Sequence, residues 1–251
     1  MKKTFLTYFD VAFAARGIAM LESLLQWDNG IEATVLCLDD EIGQIITSEL
    51  GDRVGTVSMA ELADHAPELQ PLRDQRTPWE FYATHKPVLL DWAILQQSYH
   101  AQVAFTDADT FYFSDPSPLF EEAGRSSIVL SPHRFNADTQ HLSRFGDYNA
   151  GFGLGRNDPT GRCCLRDWSR ECLDWCYSRV DASGRFMNQG YLNHWPTRYA
   201  NVHVLAHPGV NLAPWNVASH VLEETASGVL VDNRPLVFYH FSCLSRNADG
   251  A

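Results

Sequence analysis

Two carboxylates separated by one residue, Asp107 and Asp109, follow the apolar run Val103-Ala104-Phe105-Thr106. In extended backbone, side chains at i and i+2 leave the chain on the same side, so both carboxylates point the same way. Two hard oxygen ligands suit Mg2+ or Mn2+, ions that bridge protein carboxylates to substrate phosphates. An acidic turn is the plainer reading of Asp-x-Asp, and the apolar strand ahead of it is what favours a ligand edge. Lys86 also stands out: the other lysines are Lys2 and Lys3, and arginine takes every Lys/Arg position beyond it. Lys86-Pro87 puts a cation just ahead of a predicted helix start, where it is disfavoured unless an anion lies nearby. A solvated surface lysine is the competing reading. Cys172 and Cys176 lie one helical turn apart, a spacing that suits zinc. With Leu165, Trp168 and Trp175 they also read as the buried stripe of a helix.

The first half of the chain supplies alternating elements to deliver these groups. Residues 5–9 form an apolar run, and Ile18, Leu21, Leu24 and Leu25 follow at helical spacing. A second strand over 34–38 ends in Asp39-Asp40, followed by a helix near 41–50 and a strand near 53–58. Such β-α-β-α order implies an α/β fold with a largely parallel sheet, its ligand site beyond the carboxyl ends of the strands. Thr77-Pro78-Trp79-Glu80 has the makings of a helix start: a threonine cap, proline in the first turn, and glutamate three residues after the cap. Pro87 is expected to end or restart that helix, with a second piece over 88–97 leading into the strand 102–106. The second half is mixed, with strands near 127–130, 151–154, 202–205 and 235–240 and a helix near 161–177.

The formal charge of -12, from 31 acidic and 19 basic residues, argues against nucleic acid or an anionic membrane as partner. Six cysteines include no C-x-x-C pair, and Cys37 lies in the apolar run Val35-Leu36-Cys37-Leu38, so a reduced, cytoplasmic setting fits. Met1-Lys2-Lys3-Thr4-Phe5-Leu6 looks like the start of a signal peptide, but Asp10 and Arg16 break the apolar region it needs. No run approaches the roughly 20 apolar residues of a membrane span, so no transmembrane segment is expected.

The stretch 105–116, Phe-Thr-Asp-Ala-Asp-Thr-Phe-Tyr-Phe-Ser-Asp-Pro, resembles GT-A glycosyltransferases of the glycogenin-like and nucleotide-diphospho-sugar transferase group. The resemblance extends over most of the chain through a shared order of loose motifs. Thr7-Tyr8-Phe9-Asp10 ends the first strand, where the family grips base and ribose, and Arg16-Gly17 follows in the expected helix. Tyr148-Asn149-Ala150-Gly151-Phe152 looks like the family's sugar-pocket segment. Asn188-Gln189-Gly190 looks like its Asp-Gln segment, and Phe238-Tyr239-His240-Phe241 like its C-terminal metal histidine. The resemblance implies a GT-A fold over 1–251, with a Rossmann-like nucleotide-binding half (about 1–115) and a mixed acceptor half (about 116–251).

It also implies roles. Asp107, Asp109 and His240 would hold Mn2+ or Mg2+, with the histidine favouring Mn2+. Thr7, Tyr8, Asp10, Arg16, Lys86, Asp107, Ala108, Asn149, Gly151 and Arg246 would bind a nucleotide-diphosphate-sugar donor, with Gly151 allowing close backbone approach. Trp215 and Asn216 would form part of the wall for a glycan or glycolipid acceptor, with buried core as the competing reading. Asn188 and Gln189 would lie at the reacting sugar. Asn188 departs from the family's aspartate and cannot act as nucleophile or base, so the expected route is retention by same-face attack. Asp147 is the carboxylate that an inverting route would call on. The resemblance further implies a role in bacterial surface-polysaccharide biosynthesis.

Three rivals bear on this reading. A haloacid-dehalogenase-type phosphatase would need threonine or valine where Phe111 stands and a lysine after Lys86. A sugar-1-phosphate nucleotidyltransferase would open with a glycine-rich loop, but no glycine precedes Gly17. A non-catalytic nucleotide-sugar binding protein is suggested by Asn188, and turnover distinguishes it.

Overall fold

In the run Lys3–Phe9 (β1), aromatic and β-branched residues stiffen the backbone toward extension, and alternate side chains feed opposite cores. Phe5 and Phe9 join one apolar cluster, and Leu6 joins the other. The computed structural model describes residues 3–244. After β1 come α1 (Ala14–Leu25), β2 (Ile31–Cys37), α2 (Asp40–Leu50), β3 (Val54–Ser58), α3 (Met59–His65), α4 (Leu69–Leu72) and α5 (Pro78–Leu95). The chain continues through β4 (Gln102–Thr106), β5 (Thr110–Tyr112), α6 (Ser117–Ala123), β6 (Ile128–Pro132), β7 (Tyr148–Arg156) and α7 (Pro159–Asp174). Last are α8 (Trp195–Arg198), β8 (Val202–Val204), β9 (Leu222–Thr225), β10 (Gly228–Val231), β11 (Arg234–Pro235) and β12 (Phe238–His240).

Seven strands from both halves form one sheet in the order β3-β2-β1-β4-β7-β6-β8. β1 runs parallel to β2 and β4, β2 to β3, and β6 to β8, while β7 opposes both of its neighbours. The chain steps outward from β1 to β3 and then returns to the other side of β1 as β4. That reversal opens a crevice between the carboxyl ends of β1 and β4. One apolar cluster contains α1 and α2 residues such as Met20, Leu24 and Ile46. The other joins Val88, Leu89 and Ile94 of α5 to Leu165, Trp168 and Cys172 of α7.

Three local features position the site. The first is α5, one continuous helix through Pro87, where the sequence suggested a break. Its cap is as expected, with Thr77 and Glu80 forming a capping box. Residues Ala83 to Leu90 are all buried, so Lys86 lies in the interior of a core helix and not ahead of a helix start. The second is a register break between β6 and β7: Leu130 pairs with Gly153, but Ser131 pairs with Asn149. The intervening residues bulge from that ladder, next to the end of β4. The third is the antiparallel pair β5–β12, which sets Thr110 opposite His240 and brings the histidine alongside the Asp-x-Asp turn.

Other boundaries differ modestly: α7 stops at Asp174, short of 177, and the strand expected over 235–240 divides into β11 and β12. Cys172 and Cys176 are buried in the α5–α7 core, and no group of three metal-ligating side chains forms around them among the described residues. No described helix is long and apolar enough to cross a membrane.

Candidate active site

β4 ends in a tight turn. The backbone and hydroxyl of Thr110 both donate to the Asp107 carbonyl, at 3.2 and 2.8 Å, so the chain doubles back with Asp107 and Asp109 on its crest. The Asp107 N–H donates to the carbonyl of Gly151 in the β7 bulge at 2.8 Å, and Phe241 N–H donates to the Asp109 carbonyl at 2.8 Å. Both neighbours are thereby tied to the turn. His240 Nε2 lies 3.1 Å from Asp109 Oδ1 and 3.9 Å from Asp107 Oδ2.

One ligand atom from each of Asp107, Asp109 and His240 lies within 4.8 Å of the others. That span is little wider than two bonds of about 2.1 Å to a shared ion. Burial acts to raise the Asp109 carboxyl, but the hydrogen bond and charge of His240, with Lys86 nearby, outweigh it and hold the pKa below the usual carboxylate range. The donor set of two carboxylate oxygens and an imidazole nitrogen therefore fits a divalent cation.

Gly151 shows how tightly the cluster is drawn in. A Cβ there would stand 2.5 Å from His240 Cε1, 2.5 Å from Asn149 Oδ1 and 2.8 Å from Asp107 Oδ2. The close approach that requires glycine is thus made by the side chains of the cluster itself.

Lys86 is buried, and its Nζ donates to Asp107 Oδ1 at 2.6 Å and to the Ala150 carbonyl at 2.9 Å. The cation also faces the Phe105 ring at 4.5 Å. Lys86 therefore orients one oxygen of Asp107 and leaves the other turned to His240. Burial, then the charge of Asp107, raises the Tyr8 hydroxyl well above its usual pKa, so it stays a neutral phenol. Asn149 accepts from Gly151 N–H at 2.8 Å, and its amide nitrogen lies 3.2 Å from His133 Nε2. Burial lowers His133 to about 4, so its neutral ring accepts from that amide. Gln189 Oε1 accepts from Ala150 N–H at 3.2 Å, and its Nε2 donates to the Phe145 carbonyl at 3.1 Å. Asn188 follows Met187, whose φ of 46° is left-handed, and Asn188 and Gln189 both line the cleft.

Tyr8, Asp10, Lys86, Asp107, Ala108, Asp109, Asn149, Gly151, Asn188, Gln189 and His240 all line one cavity of about 480 Å³ at the crevice. The structure does not bring the remaining candidates into its wall. Thr7 is buried on the other face of β1 from Tyr8. Arg16 stacks 4.9 Å from Phe13 and donates to the Leu244 carbonyl at 2.7 Å, behind the wall. Trp215 packs edge-on to the His240 ring at 5.3 Å, supporting the histidine from outside the cavity. Asn216 is fully buried and spends its amide on Ala213 N–H and the carbonyls of His133 and Asn211. The core reading therefore holds for Asn216, whose hydrogen bonds all go to the backbone. Arg246 lies outside the described residues.

Sequence reasoning passed over Phe13, Trp79 and Tyr82, which also line the cavity. Trp79 offered a signal, a large aromatic beside a helix cap, and the structure leaves it 67% exposed.

No family model matches the chain. The uncharacterized protein YfnF of Bacillus subtilis (strain 168) is 31% identical over 235 residues, covering 90% of this chain and 77% of YfnF. The chain belongs to the YfnF family. Among solved structures, the galactosyltransferase LgtC, solved with donor and acceptor sugar analogues, superposes with a TM-score of 0.61 at 16% identity, covering 98% of this chain and 90% of LgtC. Mouse xyloside xylosyltransferase 1 gives 0.60 at 15% identity, over 97% of this chain and 98% of that one. This YfnF-family chain thus has the GT-A fold. Its Asp-Asp-His cluster sits at the switch-point crevice of that fold.

Proposed function

We propose that this chain is a metal-dependent glycosyltransferase moving a sugar from a nucleotide-diphosphate-sugar donor to a hydroxyl of a glycan or glycolipid. The observation that carries the reading is the convergence of Asp107, Asp109 and His240 on one wall of a nucleotide-sized cavity. A divalent ion held by these three would supply Lewis-acid stabilisation of the departing diphosphate. The first half, about 1–115, would hold the nucleotide, with Tyr8, Asp10 and the aromatic rim of Phe13, Trp79 and Tyr82 beside it. Asn149 and Gln189 orient the sugar from the β7 side. The second half, about 116–251, would set the acceptor.

Lys86 has a different part from the one its spacing suggested. Its ammonium is engaged by Asp107 and Ala150, so it fixes a carboxylate and lowers the negative charge of the site by one.

Retention is the stereochemistry we propose. An inverting route needs a base behind the acceptor hydroxyl. Asp147, the carboxylate nearest in sequence, is exposed and outside the cavity wall. Asn188 offers no nucleophile for a covalent step. The donor's own phosphate is then the group that accepts the acceptor's proton.

The test is a screen of nucleotide sugars for Mn2+-dependent hydrolysis, with the released nucleotide identified, run on the parent protein and Asp109→Ala. Release by the parent and none by the folded variant is expected. Equal release by both would remove Asp109 from the reaction. Proton NMR of the first-formed transfer product reads the anomeric configuration, and an inverted linkage would overturn the retaining route.

A further inference from the structure

Pro87 sits inside α5 and has no N–H to give the Ala83 carbonyl four residues back. A buried carbonyl left this way needs another donor. Asn188 provides it: its Nδ2 donates to Ala83 O at 2.8 Å. The Asn188 backbone is itself fixed, because the indole N–H of Trp168 donates to the Asn188 carbonyl at 2.8 Å. The next residue, Gln189, grips the β7 bulge at Ala150 N–H. Thus Asn188 and Gln189 clip α5 to the β7 bulge. One residue before Pro87, Lys86 bridges the same two elements, reaching Ala150 O and Asp107 Oδ1.

We propose that Pro87 and Asn188 are a matched pair, and that Asn188 is a positioning residue acting through Lys86. By replacing the hydrogen bond that proline removes, it holds the turn that carries Lys86 against Asp107. An ionised aspartate at 188 has no N–H and would turn an oxygen toward the Ala83 carbonyl. The asparagine that departs from the family pattern then has a cause within this chain: proline at 87 requires a donor at 188.

Pro87→Ala restores an N–H aimed at Ala83 O, so it supplies the control. Asn188→Ala and Asn188→Asp are made both in the parent and in the Pro87→Ala background, and two quantities independent of sugar transfer are read: thermal unfolding, and affinity for Mn2+ alone by calorimetry. With Pro87 in place, each Asn188 variant lowers Tm by about 4–8 °C and weakens Mn2+ by about tenfold. In the Pro87→Ala background, both losses shrink to less than half.

Equal losses in the two backgrounds would overturn the pairing. A fall in Tm with unchanged Mn2+ affinity would make Asn188 structural only and remove the positioning role. If the Asn188 variants fold in the Pro87→Ala background but not in the parent, the pair stands; failure in both backgrounds overturns it.

Turnover of a nucleotide sugar is a separate arm, and the only one that rests on the transferase reading. There, rescue of kcat by Pro87→Ala is expected, and kcat lost equally in both backgrounds would place Asn188 at the sugar instead. Absence of turnover in the parent protein, with the background dependence intact, would sink the transferase reading alone.

Discussion

Gly151→Ala perturbs the metal cluster without removing a ligand or changing a charge. A methyl at this position would stand 2.5 Å from the His240 ring and from Asn149 Oδ1, and 2.8 Å from Asp107 Oδ2, where ordinary contact begins at 3.4 Å. Relief requires these side chains to retreat by on the order of 0.5–1 Å. Metal–ligand distances tolerate only about 0.2 Å, so the methyl and the ion compete for the same space. The overpacking itself destabilises by about 1–3 kcal/mol, which a chain of this size survives with a Tm lower by several degrees. The expected result is a folded protein whose Mn2+ affinity drops by about 100-fold, the upper end for disturbed ligand shells. Calorimetric titration with Mn2+ measures it, alongside circular dichroism to show the fold. Gly153→Ala, two residues along the same strand, is the control, because its Cβ meets only the Val129 carbonyl at 3.5 Å. That variant keeps the parent's affinity. Parent-like Mn2+ binding by Gly151→Ala would place the ion elsewhere and refute the argument.

Two other outcomes follow from the same structure. His240→Ala should weaken Mn2+ more than Mg2+, because the lost ligand is nitrogen; equal losses for the two ions in calorimetry would return His240 to an ordinary strand-end role. Burial lowers His85 and His133 to about 4 each, so the unfolded chain binds more protons than the folded one between that value and about 6.5. Stability is therefore full above pH 6.5 and falls on acidification through that window, by about 1.4 kcal/mol per pH unit for each histidine. Urea unfolding at stepped pH measures the slope, and a profile as steep in His85→Phe as in the parent would show that His85 is not a source of it.

The parts of the fold written in local sequence were legible. β1, β2 and β4 announce themselves as apolar runs, and the Thr77–Glu80 capping box marks the start of α5. The convergence of Asp107 and Asp109 was expected from strand periodicity, but β4 ends at Thr106 and a turn closed by Thr110 brings the two together. Pro87 misled because the rule for proline is local, whereas the donor that rescues Ala83 O comes from residue 188. Because the helix continues through Pro87, Lys86 is a buried partner of Asp107 and not a helix-end cation. His240 carries no local signal, since its place beside Asp109 depends on β5–β12 pairing across the second half of the chain, and only the family resemblance found it. The β7 bulge was invisible for the same reason: a register break exists only relative to a neighbouring strand. Trp215-Asn216 looked like a sugar-binding edge, but Asn216 saturates its amide on backbone groups of three other residues.

The pairing of β5 with β12 has a consequence for how the protein is made. More than half of the chain separates Asp109 from His240. On a ribosome, the acidic pair emerges and its strand can join β1 long before the histidine exists. Until β12 docks, the two carboxylates lack the imidazole of His240, and Lys86 is the nitrogen partner already made. On the metal role proposed above, tight capture of the ion would be a late event in biogenesis, withheld from truncated chains. A prematurely terminated product carries the Asp-x-Asp motif intact and still lacks a complete ligand set.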